Sequence, residues 1–382
     1  MTSLVVTGLA QPWQPAAVGS RNAGLDVARA AAILLVFLAH TTSFFTAGWP
    51  RLQLSFDQFG QMGVELFFSL SGFLIGGLLI RLARGGLDAG GIGRFLARRW
   101  FRTLPLYYAV LTVVCLWIGR FEWRPYLLMQ NFGPFDQRIL TVSWSLVMEE
   151  YFYLFFPLLM AALGALSLQR CRGAGCVATA AAGLLLGCTA ARVAHLLGYL
   201  PIPAENFQYH PFYRLDCAAW GVLAACMAAR WPGIGAGLQG WRGALAAAIS
   251  LGGIGGLNAM FLHLPDPAFQ LAIGFPNWGF AWLATEQSLA NLTWAVLVVA
   301  LWANPGAVPA PLRPGIGWLS LLSYSIYLVH LPIVSATERH AAALGPTLRF
   351  LVVVGLTLGV SGLTYAAIER PFLRLRDRLV PG

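Results

Sequence analysis

The sequence contains no lysine, and only 10% of its 382 residues are charged while 58% are hydrophobic. A soluble domain carries about 25% charged residues, so this composition excludes a chain whose surface is mainly water-exposed. A phosphate-cradling P-loop needs a lysine and is excluded with it. Gly235-Ala-Gly237-Leu-Gln-Gly240 has the spacing of a dinucleotide-binding turn, but no strand precedes it and the surrounding loop is glycine-rich; it reads as coincidence. The six cysteines show no metal-ligand spacing, so no metal is expected and most of them read as small packing residues. Residues 1–20 contain no basic residue, and the first apolar run is longer than a leader's apolar core, so an anchor is expected rather than a cleaved signal peptide. No internal repeat is visible, which lowers the expectation of a transporter built from repeated halves.

What the chain does have is apolar runs long enough to cross about 30 Å of hydrocarbon. They fall at 25–46, 60–81, 103–119, 142–166, 174–198, 212–229, 243–262, 288–303, 317–337 and 348–368. The pattern predicts an all-α, polytopic transmembrane bundle of about ten helices over residues 23–370, with short tails at 1–22 and 371–382. Orientation follows from arginine. Arg81, Arg84, Arg94, Arg98, Arg99 and Arg102 crowd the second connection, Arg170 and Arg172 the fourth, and Arg230 and Arg242 the sixth. Arg370, Arg374, Arg376 and Arg378 follow the last span, and the alternate connections are poorer. The positive-inside rule then places both termini in the cytoplasm, and the absence of lysine suggests a GC-rich bacterial genome, so a bacterial inner membrane is expected. The net charge of +10 reads as topology and anionic-lipid contact, not nucleic-acid binding.

A charge at mid-bilayer costs about 2.5–3.5 kcal/mol on insertion scales, so ionisable residues within spans are functional candidates. The first span reads Arg29-AAAILLVFLA-His40. Eleven positions return a helix to within ~20° of the same face and separate the two residues by about 16 Å along the axis. That suits a long donor with anionic groups at one end and a reactive carbonyl at the other. A histidine at the deep end can accept a hydroxyl proton near neutral pH; the alternative is a histidine that only bonds a neighbouring helix. Arg99 and Arg102 stand one turn apart at the start of the third span. Paired guanidiniums fit phosphate oxygens, and they also serve as ordinary positive-inside anchors.

Adjacent Glu149 and Glu150 in the fourth span cannot share a helix face. Glu149 falls in line with Ser145, Phe152 and Tyr153, and is the candidate to orient His40 or to stabilise its imidazolium. Alternatively it partners an arginine such as Arg214. Glu150 is expected outward or locally paired. Glu65 in the second span, Arg214 and Asp216 opening the sixth, and Tyr327 and His330 on one face of the ninth complete the candidates. Arg214 reads as a buried ion-pair partner, and His330 as a second base or a packing residue.

The stretches LDVARAAAILLVFLAH, GVELFFSLSGFLI, RRWFRTLPLYY, VSWSLVMEEYFY, FYRLDCAAWGVL, LSYSIYLVH and ERPF occur in this order over roughly residues 22–372. Together they resemble acyltransferase family 3, a family of integral membrane O-acyltransferases. The resemblance implies ten transmembrane helices and a cytosolic acyl-CoA donor, commonly acetyl-CoA. It implies acceptors that are sugar hydroxyls on surface polysaccharides, glycolipids or glycosylated small molecules, with polysaccharide-biosynthesis proteins as partners. Carried over by matching motif, His40 is the base and Glu149 the supporting acid, while Arg29, Arg99 and Arg102 handle the donor. The rival reading, a lipid-linked glycan flippase, also needs buried charge. It has no need of an arginine pair at the mouth and a histidine at donor-arm distance.

Overall fold

The computed structural model describes residues 21–46, 48–133, 139–166, 173–200, 209–263 and 278–381, and among them no strand occurs. Most of the expected N-terminal tail, residues 1–20, and Arg138, Arg170 and Arg172 lie outside the described residues. The chain runs through α1 (Ala23–Thr41), α2 (Pro50–Gly85), α3 (Ala89–Ile118), α4 (Trp144–Leu166) and α5 (Gly173–Leu196). A short turn, Pro211–Arg214, leads into α6 (Ala219–Arg230), followed by α7 (Trp241–His263), α8 (Trp278–Ala303), α9 (Arg313–His340) and α10 (Pro346–Thr364). A π-turn, Tyr365–Glu369, then passes into α11 (Arg370–Leu379).

Eight helical segments among the described residues are long and apolar enough to cross a membrane; they comprise α1 to α6, α9, and α10 continuing into α11. The polytopic, all-helical expectation therefore holds. The expected spans at 243–262 and 288–303 are helical, but α8 offers only a shorter apolar stretch, Gln287–Ala303, and α7 is not among the eight. The helix expected at 60–81 begins ten residues earlier, at Pro50. Its 36 residues span about 54 Å, well beyond the hydrocarbon. The expected C-terminal tail is mostly helix, held to α3 where Arg98 meets Asp377 at 3.3 Å and donates to the Val380 carbonyl. Cys115, Cys188, Cys217 and Cys226 are free and buried, as packing residues should be, whereas Cys176 is disulfide-bonded.

Local chemistry sets the helix ends that matter. Asn22 caps α1, its side chain accepting from the Leu25 amide at 3.1 Å, and Asp26 adds negative charge to the first turn. Asp88 caps α3 in the same way through the Gly91 amide, and α3 ends on Gly119 in the left-handed region at φ 66°. Helix α2 is the central post, packed against α1, α6 and α8. Its approach to α6 requires glycine on both sides. A Cβ on Gly72 would sit 2.0 Å from the Ala218 carbonyl oxygen, and one on Gly221 would sit 2.0 Å from that of Ser69. Small residues at such crossings let backbones touch within a membrane.

Candidate active site

Arg29 from α1, Arg99 and Arg102 from α3, and Glu149 from α4 line one cavity of about 130 Å³, together with Ser71, Tyr324 and Tyr327. Arg29 donates to Ser320 Oγ at 3.2 Å and lies 3.9 Å from Asp26, which also receives Arg21 at 2.7 Å and the Ser320 hydroxyl at 2.7 Å. The Arg99 guanidinium stands over the Tyr153 ring, 5.7 Å from its centre. Glu149 accepts from Ser71 Oγ at 2.8 Å and from Tyr153 OH at 2.7 Å, and both Arg99 and Arg102 act on its charge. Three guanidiniums against one carboxylate leave this cavity positive, the condition for holding an anion.

His40 faces a different cavity, about 200 Å³, shared with Asp57, Gln61, Trp144 and Tyr209. Val64 and Tyr327 line both cavities, so the wall between them is one side chain thick. Tyr327 OH donates to the Val142 carbonyl at 2.7 Å, which commits its only proton; Ser145 Oγ, 2.6 Å away, is then the donor to Tyr327.

Hydrogen bonds assign the histidine tautomers. His330, fully buried, has Nδ1 3.0 Å from the Ile326 carbonyl, so Nδ1 carries the proton and Nε2 a lone pair. That lone pair faces His40 Nδ1 at 3.2 Å, and the Val36 carbonyl lies 2.9 Å from the same nitrogen. His40 Nδ1 must be the protonated atom between two acceptors. Its Nε2 is therefore the basic nitrogen, with neither of these partners on it. The expected arrangement had Glu149 orienting His40. In the structure His330 stands beside the imidazole, while Glu149 is held by Ser71 and Tyr153 in the arginine cavity. Helical spacing predicts which face Glu149 shares, but not which cavity that face borders.

The remaining candidates are taken up in buried ion pairs. Glu65 accepts from Arg214 at 2.5 Å, Asn291 Nδ2 at 2.7 Å and Gln61 Nε2 at 2.9 Å. Arg214 also lies under the rings of Phe68 and Trp144, and it is Glu65's partner, not Glu149's. Asp216 receives both terminal nitrogens of Arg192, at 2.8 and 3.1 Å. Arg192 was not among the candidates, although the cost of a charge in a span is a signal that Asp216 needed a partner. Glu150 is not outward: it is 4% exposed and accepts from Thr103 of α3 at 2.7 Å, while its neighbour Glu149 meets Ser71 of α2. Glu369, in the ERPF stretch, is buried by the π-turn and accepts from Ser325 at 3.0 Å.

A positive cavity and a tautomer-locked imidazole stand back to back inside a bundle of membrane helices, an arrangement suited to a membrane-embedded group-transfer enzyme. The comparison with known proteins specifies the group: the chain belongs to acyltransferase family 3, whose model, described as an acyltransferase domain, matches residues 22–366. It is 26% identical to Nodulation protein 10 of Rhizobium leguminosarum bv. viciae, over 95% of this chain and 96% of that one. It is 24% identical to a candidate peptidoglycan O-acetyltransferase of Bacillus subtilis (strain 168), over 91% of this chain and 54% of that protein. A candidate O-acetyltransferase of Staphylococcus aureus (strain COL) is likewise 24% identical, over 91% of this chain and 57% of its own length. The chain thus spans little more than half of the latter two relatives. No solved structure matches it. The family resemblance carried by the motifs is borne out.

Proposed function

We propose that the protein is an O-acetyltransferase that takes its acyl group from a coenzyme A thioester and gives it to a sugar hydroxyl. The observation that supports this best is the pair of cavities meeting at Tyr327, arginines on one side and the basic nitrogen of His40 on the other. Arg29, Arg99 and Arg102 hold the phosphates of the donor at the arginine-rich, cytoplasmic end. The pantetheine arm passes inward toward Tyr327, carrying the thioester carbonyl. The acceptor enters from the opposite side. His40 Nε2 removes the hydroxyl proton as the oxygen attacks the carbonyl carbon, and the carbon–sulfur bond breaks with its electron pair on sulfur. Coenzyme A leaves as the thiolate through the arginine cavity and takes a proton from water there, and His40 returns its proton to water on the acceptor side. In this scheme His330 fixes the tautomer of His40, and Glu149 keeps the arginines in place without touching the acceptor. The O-acetyltransferase names of two relatives point the same way. Asp57 and Gln61 beside His40 offer polar contacts to a polyhydroxyl acceptor.

Purified protein in nanodiscs tests this with acetyl-CoA, with and without pooled surface glycans. Release of coenzyme A should depend on the glycan, and His40→Ala should lower it by about 10²–10⁴-fold while donor binding persists. Turnover of His40→Ala at the wild-type rate would remove His40 from the chemistry. Absence of both donor binding and turnover would favour a flippase.

A further inference from the structure

The largest of the three cavities described belongs to neither side of this reaction. It measures about 600 Å³, within the range of small-ligand sites, lies between α5, α6, α8 and the short turn Gly233–Gly237 that follows α6, and shares no lining residue with the other two. Its walls are apolar, among them Leu223, Ala224, Leu292 and Val296. Trp220, whose indole N–H donates to Ser288 Oγ at 2.9 Å, also lines it. Successive spans run in opposite directions, so the start of α5 (Ala174, Gly175) and the end of α6 (Arg230, with Trp231 after it) meet at one end of the cavity. This is the end that the arginine pattern assigns to the cytoplasmic side. Arg230 is exposed and makes no ion pair among the described residues, and Trp231 is 55% exposed beside it.

The geometry points to a site for an anionic phospholipid, with one acyl chain in the groove and the phosphate on Arg230. The lining helices α5 and α6 are long and apolar enough to cross a membrane, which puts a groove between them within reach of lipid acyl chains. Left empty, the cavity would strip its lining atoms of contacts; filled with water, it would give each molecule too few polar partners. An acyl chain satisfies the walls. The guanidinium at the mouth forms a fork for phosphate oxygens, and a tryptophan with an apolar body and a polar N–H suits the headgroup boundary. A zwitterionic lipid brings its own ammonium to compete with Arg230, so the site favours net negative charge.

Native mass spectrometry of the delipidated full chain tests the proposal by titration with palmitoyl-oleoyl phosphatidylglycerol, phosphatidylcholine of the same chains, dihexanoyl phosphatidylglycerol and inorganic phosphate. Long-chain phosphatidylglycerol should bind most tightly. Arg230→Gln, an exposed change that leaves the core intact, should weaken it by about fivefold, as expected for one arginine near a charged headgroup. Ala224→Phe, which fills the groove, should prevent retention of the long-chain lipid. Unchanged phosphatidylglycerol affinity in both variants would overturn the site. So would equal binding of phosphatidylcholine in the wild type, or equal binding of dihexanoyl phosphatidylglycerol or of phosphate alone.

Discussion

Replacing Glu65 and Arg214, singly and together, asks how the bundle tolerates charge in its core. Both side chains are almost fully buried, at 2% and 1% exposure, and their oxygen and nitrogen lie 2.5 Å apart. Arg214 is already short of partners, since its Nε and Nη1 are buried without a hydrogen bond among the described residues. In Glu65→Leu the guanidinium keeps its ring contacts but loses its counter-charge, and in Arg214→Met the carboxylate is stranded. Stranding one member of a buried pair costs about 3–5 kcal/mol, a large part of a stability on the order of 5–15 kcal/mol. At about 2.1 cal/mol/K per residue over 382 residues, each single variant should therefore melt about 4–6 °C below the wild type. The double variant removes both charges. Asn291 keeps the Gln287 carbonyl at 2.8 Å as an acceptor, and Gln61 borders the His40 cavity, so the residual loss is one or two hydrogen bonds, about 1–2 kcal/mol. Intrinsic tryptophan fluorescence on heating, in detergent, reads all three. The double variant should recover at least half of the loss of the worse single variant. A double variant that melts at or below that single would refute the claim that isolated charge, not packing, is what the pair prevents.

Arg99→Gln and Arg102→Gln should each raise KM for acetyl-CoA by about tenfold or more, the equivalent of one charge-assisted hydrogen bond, with a smaller change in kcat. Steady-state kinetics at two salt concentrations would check this, and unchanged KM in both variants would detach the arginine cavity from the donor. Gly72→Ala should destabilise the fold by about 1–3 kcal/mol or more, because its new methyl would meet the Ala218 carbonyl. Gly255→Ala, where a Cβ meets nothing within 4 Å, should be neutral or slightly stabilising in the same melting assay.

Much of this architecture is legible because a bilayer imposes a coarse rule. Runs of apolar residues must be helices, since no other open segment satisfies its backbone in hydrocarbon. Spacing sets Arg99 and Arg102 one turn apart and Glu149 in line with Tyr153, the motif resemblance adds Arg29 to the arginines, and all four line one cavity. What periodicity omits is which helices become neighbours. The pairing of Arg214 with Glu65 joins residues 149 positions apart, and that of His330 with His40 joins residues 290 apart. Arg192 stands in a stretch of alanine, glycine and leucine whose pattern is uniform around the helix, so nothing there marks the face that meets Asp216. The burial of Glu150 has a similar origin: α4 is enclosed on faces that a lone amphipathic helix would show to lipid.

The thin wall at Val64 and Tyr327 also shapes the electric field. Where two water-accessible hollows enter a bilayer from opposite faces, the membrane potential falls mainly across what separates them. If the two cavities open to opposite faces, as the proposed reaction requires, that layer is one side chain deep instead of about 30 Å of hydrocarbon. Moving one elementary charge through it would change the energy by about 2.3 kcal/mol per 100 mV. In the proposed reaction the acetyl group itself carries no charge and the donor's phosphates stay on the arginine side, so voltage acts on the transfer weakly. A thiolate or an imidazolium does feel that field. In the proposed reaction, keeping charged groups to their own sides of Tyr327 would let the transfer run across an energised membrane.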